Sequence, residues 1–195
     1  VVQTRAVEFA NKFDVPVRVL SSFKDGNGTL ISLGEENMEN ALVSGIAFQK
    51  DQVKFTLHGV GDTPGTAFKI LGPISDADIE VDVIVQNVSV DGKTDFTFTV
   101  SSDDQSSVQN IIEEIKEDVN FRELIIDSNI AKVSIVGAGM RSQAGVASTA
   151  FKSLSEHDVN IQIICTSEIK ITMVIDKSLV EKAVQVLHNE FNLDK

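Results

Sequence analysis

The sequence predicts an α+β fold built from two copies of one small βαββαβ module, each an antiparallel sheet with two helices on one face. Two glycine loops, ending at Gly65 and Gly145, each lead into a stretch with helical apolar spacing and then into a strand. These glycines lie 80 residues apart, and a repeat of this kind sets the architecture before any element is assigned. It divides the chain into a first module over residues 41–128 and a second over residues 129–195. The same spacing aligns Asp78 with Asp158, Ile79 with Val159, and Val81 with Ile161.

A front segment over residues 1–40 precedes the repeat. Apolar residues spaced by three and four up to Phe13 predict a helix, and alternating valines up to Val19 predict a short edge strand beside Pro16. The segment is too short to enclose its own apolar faces. We therefore expect it to be the end of a preceding domain, followed by an acidic and polar linker.

The first module begins with two strand candidates, Leu42–Phe48 and Val53–His58, separated by a turn at Asp51-Gln52. A helix with apolar residues up to Ile74 comes next, and Gly72-Pro73 is expected to kink or shorten it. The remaining predicted elements are a strand over Val81–Val88, a turn at Asp91-Gly92, a strand over Asp95–Val100, a helix over Val108–Ile115 that Ser102 or Asp103 can cap, and a strand over Leu124–Ile126.

The second module repeats this order. Its predicted elements are a strand over Val133–Val136, a loop over Met140–Gln143, a helix over Val146–Leu154, strands over Val159–Cys165 and Lys170–Ile175, and a helix over Leu179–Leu187. Only Leu193–Lys195 follow that helix, which is too little chain for a fourth strand. Leu42–Phe48 is therefore a candidate to complete this sheet, and the first module would then be an insertion within the second.

The composition excludes several classes of partner. The 195 residues include 17 basic and 29 acidic side chains, a net charge of −12, so the clustered Lys and Arg of a nucleic-acid or anionic-membrane surface are missing. No apolar run reaches the roughly 18 residues of a membrane span, and we expect a soluble, cytoplasmic protein. Cys165 is the single cysteine, which excludes a disulfide within the chain, and its apolar neighbours predict a buried side chain.

The sequence contains no recognisable catalytic constellation. Val133–Gly139 resembles the start of a dinucleotide-binding fingerprint, but the third glycine position is Ser142 and the helix opens only near Gly145. The three histidines, His58, His157 and His188, are scattered along the chain. We therefore expect no catalytic residues, no metal site and no cofactor in this chain alone.

The two glycine loops are better candidates for a ligand site. Backbone N–H groups at the helix starts after Gly65 and Gly145 attract a carboxylate, a contribution of about 0.3–1 kcal/mol at an exposed site. Asp62 lies beside the first helix start and can hold an ammonium group, while the amide of Gln86 can bind a hydroxyl group. Together these groups would accept a free amino acid. The alternative is that the glycines only serve tight turns and that Asp62 is solvated.

Several motifs resemble the regulatory region of aspartate kinase (aspartokinase), and the resemblance covers nearly the whole chain. Val19–Phe23 resembles the end of that family's kinase domain. The other matching motifs are Val136-Gly137-Ala138-Gly139-Met140, Gly145-Val146, Asn160-Ile161, Thr166-Ser167-Glu168-Ile169, Asp62-x-Pro64-Gly65 and Val85-Gln86-Asn87-Val88.

The resemblance implies two ferredoxin-like ACT modules that pair sheet to sheet in a homodimer. These modules would bind threonine or lysine as feedback effectors and control the phosphorylation of aspartate. It also implies that the kinase domain, with its ATP, Mg²⁺ and aspartate sites, lies outside this chain as a catalytic domain or subunit.

The resemblance also implies two sites. The first would use Asp62, Pro64, Gly65, Thr66, Ala67 and Gln86, closed by Asn160 and Ile161 of the other module. The second would use Ser142, Ala144, Gly145 and Val146, with Glu80, Val81 and Thr166 nearby. The copies differ, because Asp62 has no acidic counterpart in the second loop and Glu80 takes the place of Asn160. An acidic Glu80 would suit the side-chain ammonium of lysine.

Two alternatives remain at this point. One keeps the modules and changes the enzyme, as an amino-acid-sensing subunit of another biosynthetic pathway such as acetolactate synthase. A response to valine without a response to threonine or lysine would favour it. The other alternative is a self-contained enzyme, which predicts turnover by this chain alone.

Overall fold

The computed structural model describes residues 3–13, 15–31, 43–87, 92–137 and 145–193, which fall into two units, one up to Ala41 and one from Leu42. The first unit contains helix α1 (Thr4–Lys12) and a small antiparallel sheet of β1 (Val17–Val19) and β2 (Thr29–Ile31). Its large apolar side chains are largely exposed, Phe23 by 96%. This unit therefore buries little of its own apolar surface, in line with the sequence expectation.

The described part of the second unit forms one six-stranded antiparallel sheet with the strand order β4-β5-β3-β6-β8-β7. Its elements are β3 (Gly45–Gly61), α2 (Thr66–Asp76), β4 (Ile84–Gln86), β5 (Lys93–Ser101), α3 (Gln105–Glu114), α4 (Lys116–Val119), β6 (Glu123–Val136), α5 (Val146–Glu156), β7 (Ile161–Thr166), β8 (Lys170–Asp176) and α6 (Val180–Glu190). The mixed α and β content and the antiparallel pairing agree with the predicted fold class.

The two central strands, β3 and β6, form a long ribbon that both modules share. The first half of β3 pairs with the second half of β6, with Gly45 opposite Val136. Its second half pairs with the first half of β6, with His58 opposite Glu123. Strands β4 and β5 extend the ribbon on the first module's side, and β8 and β7 extend it on the other. The predicted turn at Asp51-Gln52 is wrong, because β3 continues through it as a single strand of 17 residues.

Two β-bulges interrupt this ribbon near its middle. The register shifts between Gln49 and Gln52 on β3, and between Asp127 and Ile130 on β6. One extra residue reverses the alternation of side chains along a strand. The bulge in β3 therefore keeps apolar side chains from both of its halves on the same face of the sheet. The polar pair read as a turn in the sequence marks this bulge instead.

That face carries two hydrophobic cores, one for each module. In the first core the rings of Phe55 and Phe98 stack with their centroids 5.4 Å apart, and helices α2 and α3 cover them with Ile70 and Ile112. Each such buried side chain contributes about 1.5–3 kcal/mol to folding. The second core contains Ala131, Val133 and Ile135 of β6, Ile171, Met173 and Ile175 of β8, Val146, Ala150 and Leu154 of α5, and Val180, Ala183 and Leu187 of α6.

Helix α2 runs through Gly72 and Pro73 to Asp76, so this pair does not shorten the helix as expected. Proline removes only its own N–H bond, and the Pro73 carbonyl still accepts the N–H of Ala77. The cap predicted at Ser102 or Asp103 is replaced by Ser101, whose hydroxyl accepts the Asp103 N–H at the start of a 3₁₀ turn over Ser102–Asp104.

Strand β4 is shorter than the predicted Val81–Val88, although Asp82 and Val83 still exchange backbone hydrogen bonds with Thr99. The predicted turn residue Asp91 lies outside the described residues, as does Val88. Among the helices of the described ranges, none has the length and apolar character needed to cross a membrane.

Candidate functional site

The first candidate site is the loop that joins β3 to α2. The Asp62 N–H donates to the Gly92 carbonyl at 2.9 Å, and the Thr66 hydroxyl donates to the Gly61 carbonyl at 2.9 Å. Gly65 adopts φ 93°, a left-handed conformation that favours glycine, and precedes the helix without a side-chain cap. Asp62, Pro64, Gly65 and Ala67 are exposed, whereas Thr66 is buried. The loop therefore presents the start of α2 to solvent with the Asp62 carboxylate beside it.

Gln86 ends β4 at the same end of the sheet as this loop. It lies opposite Phe96 of β5, and Phe96 lies opposite Leu57 of β3. Gln86 and Leu57 are therefore separated by two inter-strand spacings, about 10 Å, and the loop begins five residues beyond Leu57 at Asp62. The helix start, Asp62 and Gln86 thus lie at the same end of the sheet, and Asp62, Gly65 and Gln86 are exposed.

A β-bulge just before the loop fixes its direction, and the sequence reasoning missed the residue that holds it. Gly59, at φ 70°, donates its N–H to one oxygen of Asp95 at 3.0 Å, and Nδ1 of His58 lies 2.9 Å from the other oxygen. The hydrogen bond from the Gly59 N–H holds the pKa of Asp95 below its ordinary value. His58 and Arg122 lower this pKa further, whereas partial desolvation of the carboxyl group raises it. A glycine within a strand pattern was the available signal for this bulge.

The second candidate site lies at the opposite end of the ribbon, where α5 begins after Gly145. Gly145 adopts φ 114°, and its carbonyl accepts the Thr149 N–H at 2.8 Å and the Ser148 hydroxyl at 2.9 Å. Val146 is buried in the second core, and Thr166 is exposed at the end of β7. The other two residues predicted for this loop, Ser142 and Ala144, lie outside the described residues.

The residues predicted to close the first site lie far from it within one chain. Asn160 and Ile161 stand at the start of β7, where they line a cleft of about 420 Å³ together with Phe151 of α5. β7 and β4 are the two outer strands of the six-stranded sheet, five inter-strand spacings or about 24 Å apart. One chain therefore does not bring Asn160 and Ile161 to Gln86.

The closing residues of the second site are also displaced within one chain. Glu80 and Val81 precede β4, and Glu80 lines a cleft of about 630 Å³ near the bulges in the middle of the ribbon. Val136, which leads to the second loop, lies six residues beyond Ile130 on β6, about 20 Å along the strand. Within one chain, the residues predicted to close each site therefore lie away from the helix start predicted for that site, near the middle of the ribbon's length.

Two further sequence expectations concern Cys165 and the histidines. Cys165 is exposed, so the prediction that it is buried is wrong, because it lies on β7, an outer strand of the sheet. His157 is exposed beyond α5, and its Nδ1 lies 2.8 Å from the Ser153 carbonyl. Within the described ranges, no three His, Cys, Asp or Glu side chains converge to hold a metal ion.

Comparison with known proteins places this geometry in context. The ACT domain family matches residues 57–120 and, by a second match to an ACT domain, residues 133–191. The chain is 56% identical over 195 residues to an aspartate kinase of Pseudomonas fluorescens SBW25, covering 100% of this chain and 47% of that protein. It is 39% identical over 197 residues to an aspartokinase of Mycobacterium tuberculosis H37Rv, covering 99% and 47% respectively. The chain thus spans about half the length of these curated relatives.

Solved structures agree with the sequence matches. A crystal structure of aspartokinase alpha and beta subunits is 46% identical with a TM-score of 0.73, and the alignment covers 77% of this chain and 99% of the other. The ligand-free regulatory subunit of aspartate kinase from Thermus thermophilus is 32% identical with a TM-score of 0.74, and the alignment covers 77% and 99%.

Proposed function

The chain belongs to the aspartate kinase family, whose regulatory region it carries as two ACT domains, and from this we propose that it binds threonine or lysine and thereby controls the phosphorylation of aspartate by ATP. The family assignment removes the alternative of a sensing subunit of acetolactate synthase. The observation that carries the proposal is the exposed start of α2, flanked by Asp62 and Gln86 at one end of the sheet.

Each part of a free amino acid has a partner at the first site. The Thr66 N–H already donates to the Thr63 carbonyl at 3.2 Å. The start of α2 has no side-chain cap, so an anion there would gain from the helix dipole and from hydrogen bonds to the remaining N–H groups of the first turn. The Asp62 carboxylate would take the ammonium group. The Gln86 side-chain amide can both donate and accept, which suits the hydroxyl of threonine.

A second copy of the chain would complete the site. Asn160 and Ile161 lie on the opposite edge of the sheet from Gln86, so the segment that closes the site has to come from another copy. A two-fold dimer supplies each segment twice, because residue i of one copy meets residue j of the other and the reverse. We propose a homodimer in which the ligand lies between the first module of one copy and the second module of its partner.

The second site would differ from the first in ligand preference. Glu80 occupies the repeat position of Asn160 and is exposed, so it adds a negative charge where the first site has an amide. That charge would suit the side-chain ammonium of lysine in the site that the family resemblance assigns to Ser142, Ala144, Gly145, Val146 and Thr166.

Control of the kinase would follow from differential binding. An effector shifts an equilibrium only if it binds one arrangement of the paired modules more tightly than the other, and the usual coupling is about 1–3 kcal/mol. The catalytic portion, which would bind ATP with Mg²⁺ and aspartate, would lie outside this chain, which spans 47% of the Pseudomonas fluorescens aspartate kinase.

Calorimetry and thermal unfolding of this chain with threonine, lysine, methionine, isoleucine and valine test the proposal. A ligand at 100 times its Kd adds about 2.7 kcal/mol, which for a chain of this size raises Tm by roughly 5–10 °C. We expect threonine or lysine to produce this shift, with Asp62→Ala and Gln86→Ala abolishing the threonine response.

Asp118→Ala and Gln185→Ala, both at exposed positions on helices, are the matched controls and should respond like the unaltered chain. An unchanged threonine response in both site variants would show that the site assignment is wrong. If none of the five amino acids shifts Tm or releases heat, the proposed function itself is wrong.

A further inference from the structure

Two lysines on the ribbon reach from one module to the other across the sheet face that lacks the helices. Lys132, on the second module's half of β6, is only 3% exposed, and its ammonium is bonded to the carboxylate of Asp82. Asp82 belongs to the first module and lies just before β4, three strands away in the sheet order. A buried ammonium needs an anionic partner, so this bridge fixes the position of the segment that carries Asp82.

Lys54 forms the second bridge in the opposite direction. It lies on the first module's half of β3, and its ammonium is bonded to the side-chain oxygen of Gln162 in β7 of the second module. The same ammonium lies 3.2 Å from Asp127 of β6, and the Lys54 side chain is 17% exposed. Each module therefore extends one lysine to the other, Lys132 to the segment just before β4 and Lys54 to β7.

The sequence repeat shows that these two bridges are equivalent. Asp82 and Gln162 are separated by the same 80 residues that relate Gly65 to Gly145. Glu80 and Asn160, the residues expected to close the two ligand sites, stand two positions before them. The two bridges thus hold equivalent segments of the two copies, each at a residue two positions after the predicted closing residue.

We propose that Lys132 and Lys54 are positioning residues that form a reciprocal pair of bridges, hereafter the crossed lysines, by which each module fixes the ligand-closing segment of the other. This inference rests on the proposed function for its ligand and on the contacts alone for its geometry. Lys132 positions Glu80 through Asp82, and Lys54 positions Asn160 through Gln162. A ligand that moves one closing segment also moves the lysine bonded to that segment, and with it the ribbon of β3 and β6. Because the ribbon carries the other lysine as well, the two sites are coupled.

Hydrogen exchange on the 195-residue chain tests the geometry without any ligand. Lys132→Met should speed amide exchange over residues 79–86 by about 10-fold, since a charge-assisted hydrogen bond to that segment is lost. Exchange over residues 159–166 should change less. Lys54→Met should give the reverse pattern. A purely local structural role predicts the opposite, with each variant loosening only its own module, and that result would overturn the proposal.

Substitutions of the exposed Gln162 test the same bridge in two directions, because one should speed amide exchange and the other should slow it. This test does not require a variant of a buried lysine to fold. Gln162→Ala should speed exchange over residues 159–166, whereas Gln162→Glu should slow it, because a carboxylate facing Lys54 reproduces the charge pair of Lys132 and Asp82. Gln185→Ala is the control and should leave that exchange unchanged. Equal exchange in the alanine and glutamate variants contradicts a bridge from Lys54.

Titration with threonine and lysine adds the link to binding. Asp82→Ala and Gln162→Ala should each weaken one of the two effectors by at least about 5-fold, the lower end of ordinary site coupling, whereas Asp118→Ala should not. Wild-type affinity in both variants overturns the positioning role. If the unaltered chain binds neither amino acid, the proposed function fails, and the exchange patterns still decide whether the crossed lysines exist.

Discussion

Removal of the Asp95 carboxylate isolates what the β-bulge before the first site contributes. In Asp95→Ala the Gly59 N–H and Nδ1 of His58 both lose their acceptor, although the Arg122 N–H still holds the His58 carbonyl at 2.7 Å. Asp95→Asn keeps one oxygen for Gly59 but removes the charge. We expect both variants to fold, because the side chain of Asp95 points away from the cores.

The expected loss of stability in Asp95→Ala follows from two hydrogen bonds at a half-exposed position. A hydrogen bond contributes about 0.5–1.5 kcal/mol net, but the Asp95 side chain is 52% exposed, and solvent screens a pair at such a position. We therefore expect Asp95→Ala to lower the free energy of unfolding by about 1 kcal/mol, or Tm by about 2–4 °C for a chain of this size. Asp95→Asn should lose about half as much.

The pH dependence has a definite sign. Since the folded-state pKa of Asp95 lies below its unfolded value of about 3.9, the carboxylate stabilises the fold fully above that value. This stabilisation is lost as the pH falls through the lower, folded-state pKa. The difference in stability between the unaltered chain and Asp95→Ala should therefore be constant above about pH 5 and shrink in acid below about pH 4.

Urea unfolding at pH 7 and at pH 3, with threonine titration of each variant, measures these effects. Asp118→Ala, at an exposed helical position, controls for the loss of one surface carboxylate. Because the bulge sets the direction of the Asp62 loop, Asp95→Ala should also weaken the effector that uses Asp62. Stability equal to that of the control at pH 7, or a difference that grows in acid, would refute the reasoning.

Two shorter predictions concern the backbone of the first site and the outer strand of the sheet. Gly65→Ala should destabilise the chain by about 1–2 kcal/mol in urea unfolding because φ is 93° there, whereas Gly26→Ala, in open space without a positive φ, should stay within about 0.5 kcal/mol; equal effects would contradict this. Exposed Cys165 should react with a thiol reagent under native conditions, and this reaction should become slower when an effector pairs two chains through β7. Reaction only after unfolding would contradict the exposure of Cys165.

Helical periodicity and the repeat were enough to predict the architecture. The spacing of Ile70 with Ile74 and of Ala150 with Leu154 predicts helices that the structure contains, because an apolar stripe on a helix is a local property of the sequence. The turn predicted at Asp51-Gln52 failed for a different reason. A polar pair between two apolar stretches looks alike whether the chain reverses or bulges, and the choice depends on β6, about 80 residues away.

The candidate site was predictable only in its local part. Glycine before an apolar helix identifies the loops at Gly65 and Gly145, but the acceptor at Asp95 and the bridge from Lys132 depend on strand register. The register between two distant strands cannot be deduced from the sequence of either strand alone. A lysine between the apolar Ala131 and Val133 was the one available signal, since a charge on a buried strand requires a partner. The exposure of Cys165 was not predicted for the same reason, because the order of the strands in the sheet decides which strand is outermost.

The shared ribbon of β3 and β6 limits how this region can be truncated or fused to other proteins. A fragment that ends after α4 keeps the residues that match one ACT domain but loses β6, and β3 then exposes a long row of unpaired backbone groups open to aggregation. A fragment over residues 133–191 loses β3 and all of β6 except residues 133–136, so β8 loses most of its paired neighbour. Neither half is separable by a cut at any single position, so the smallest portable unit of this fold is the complete pair.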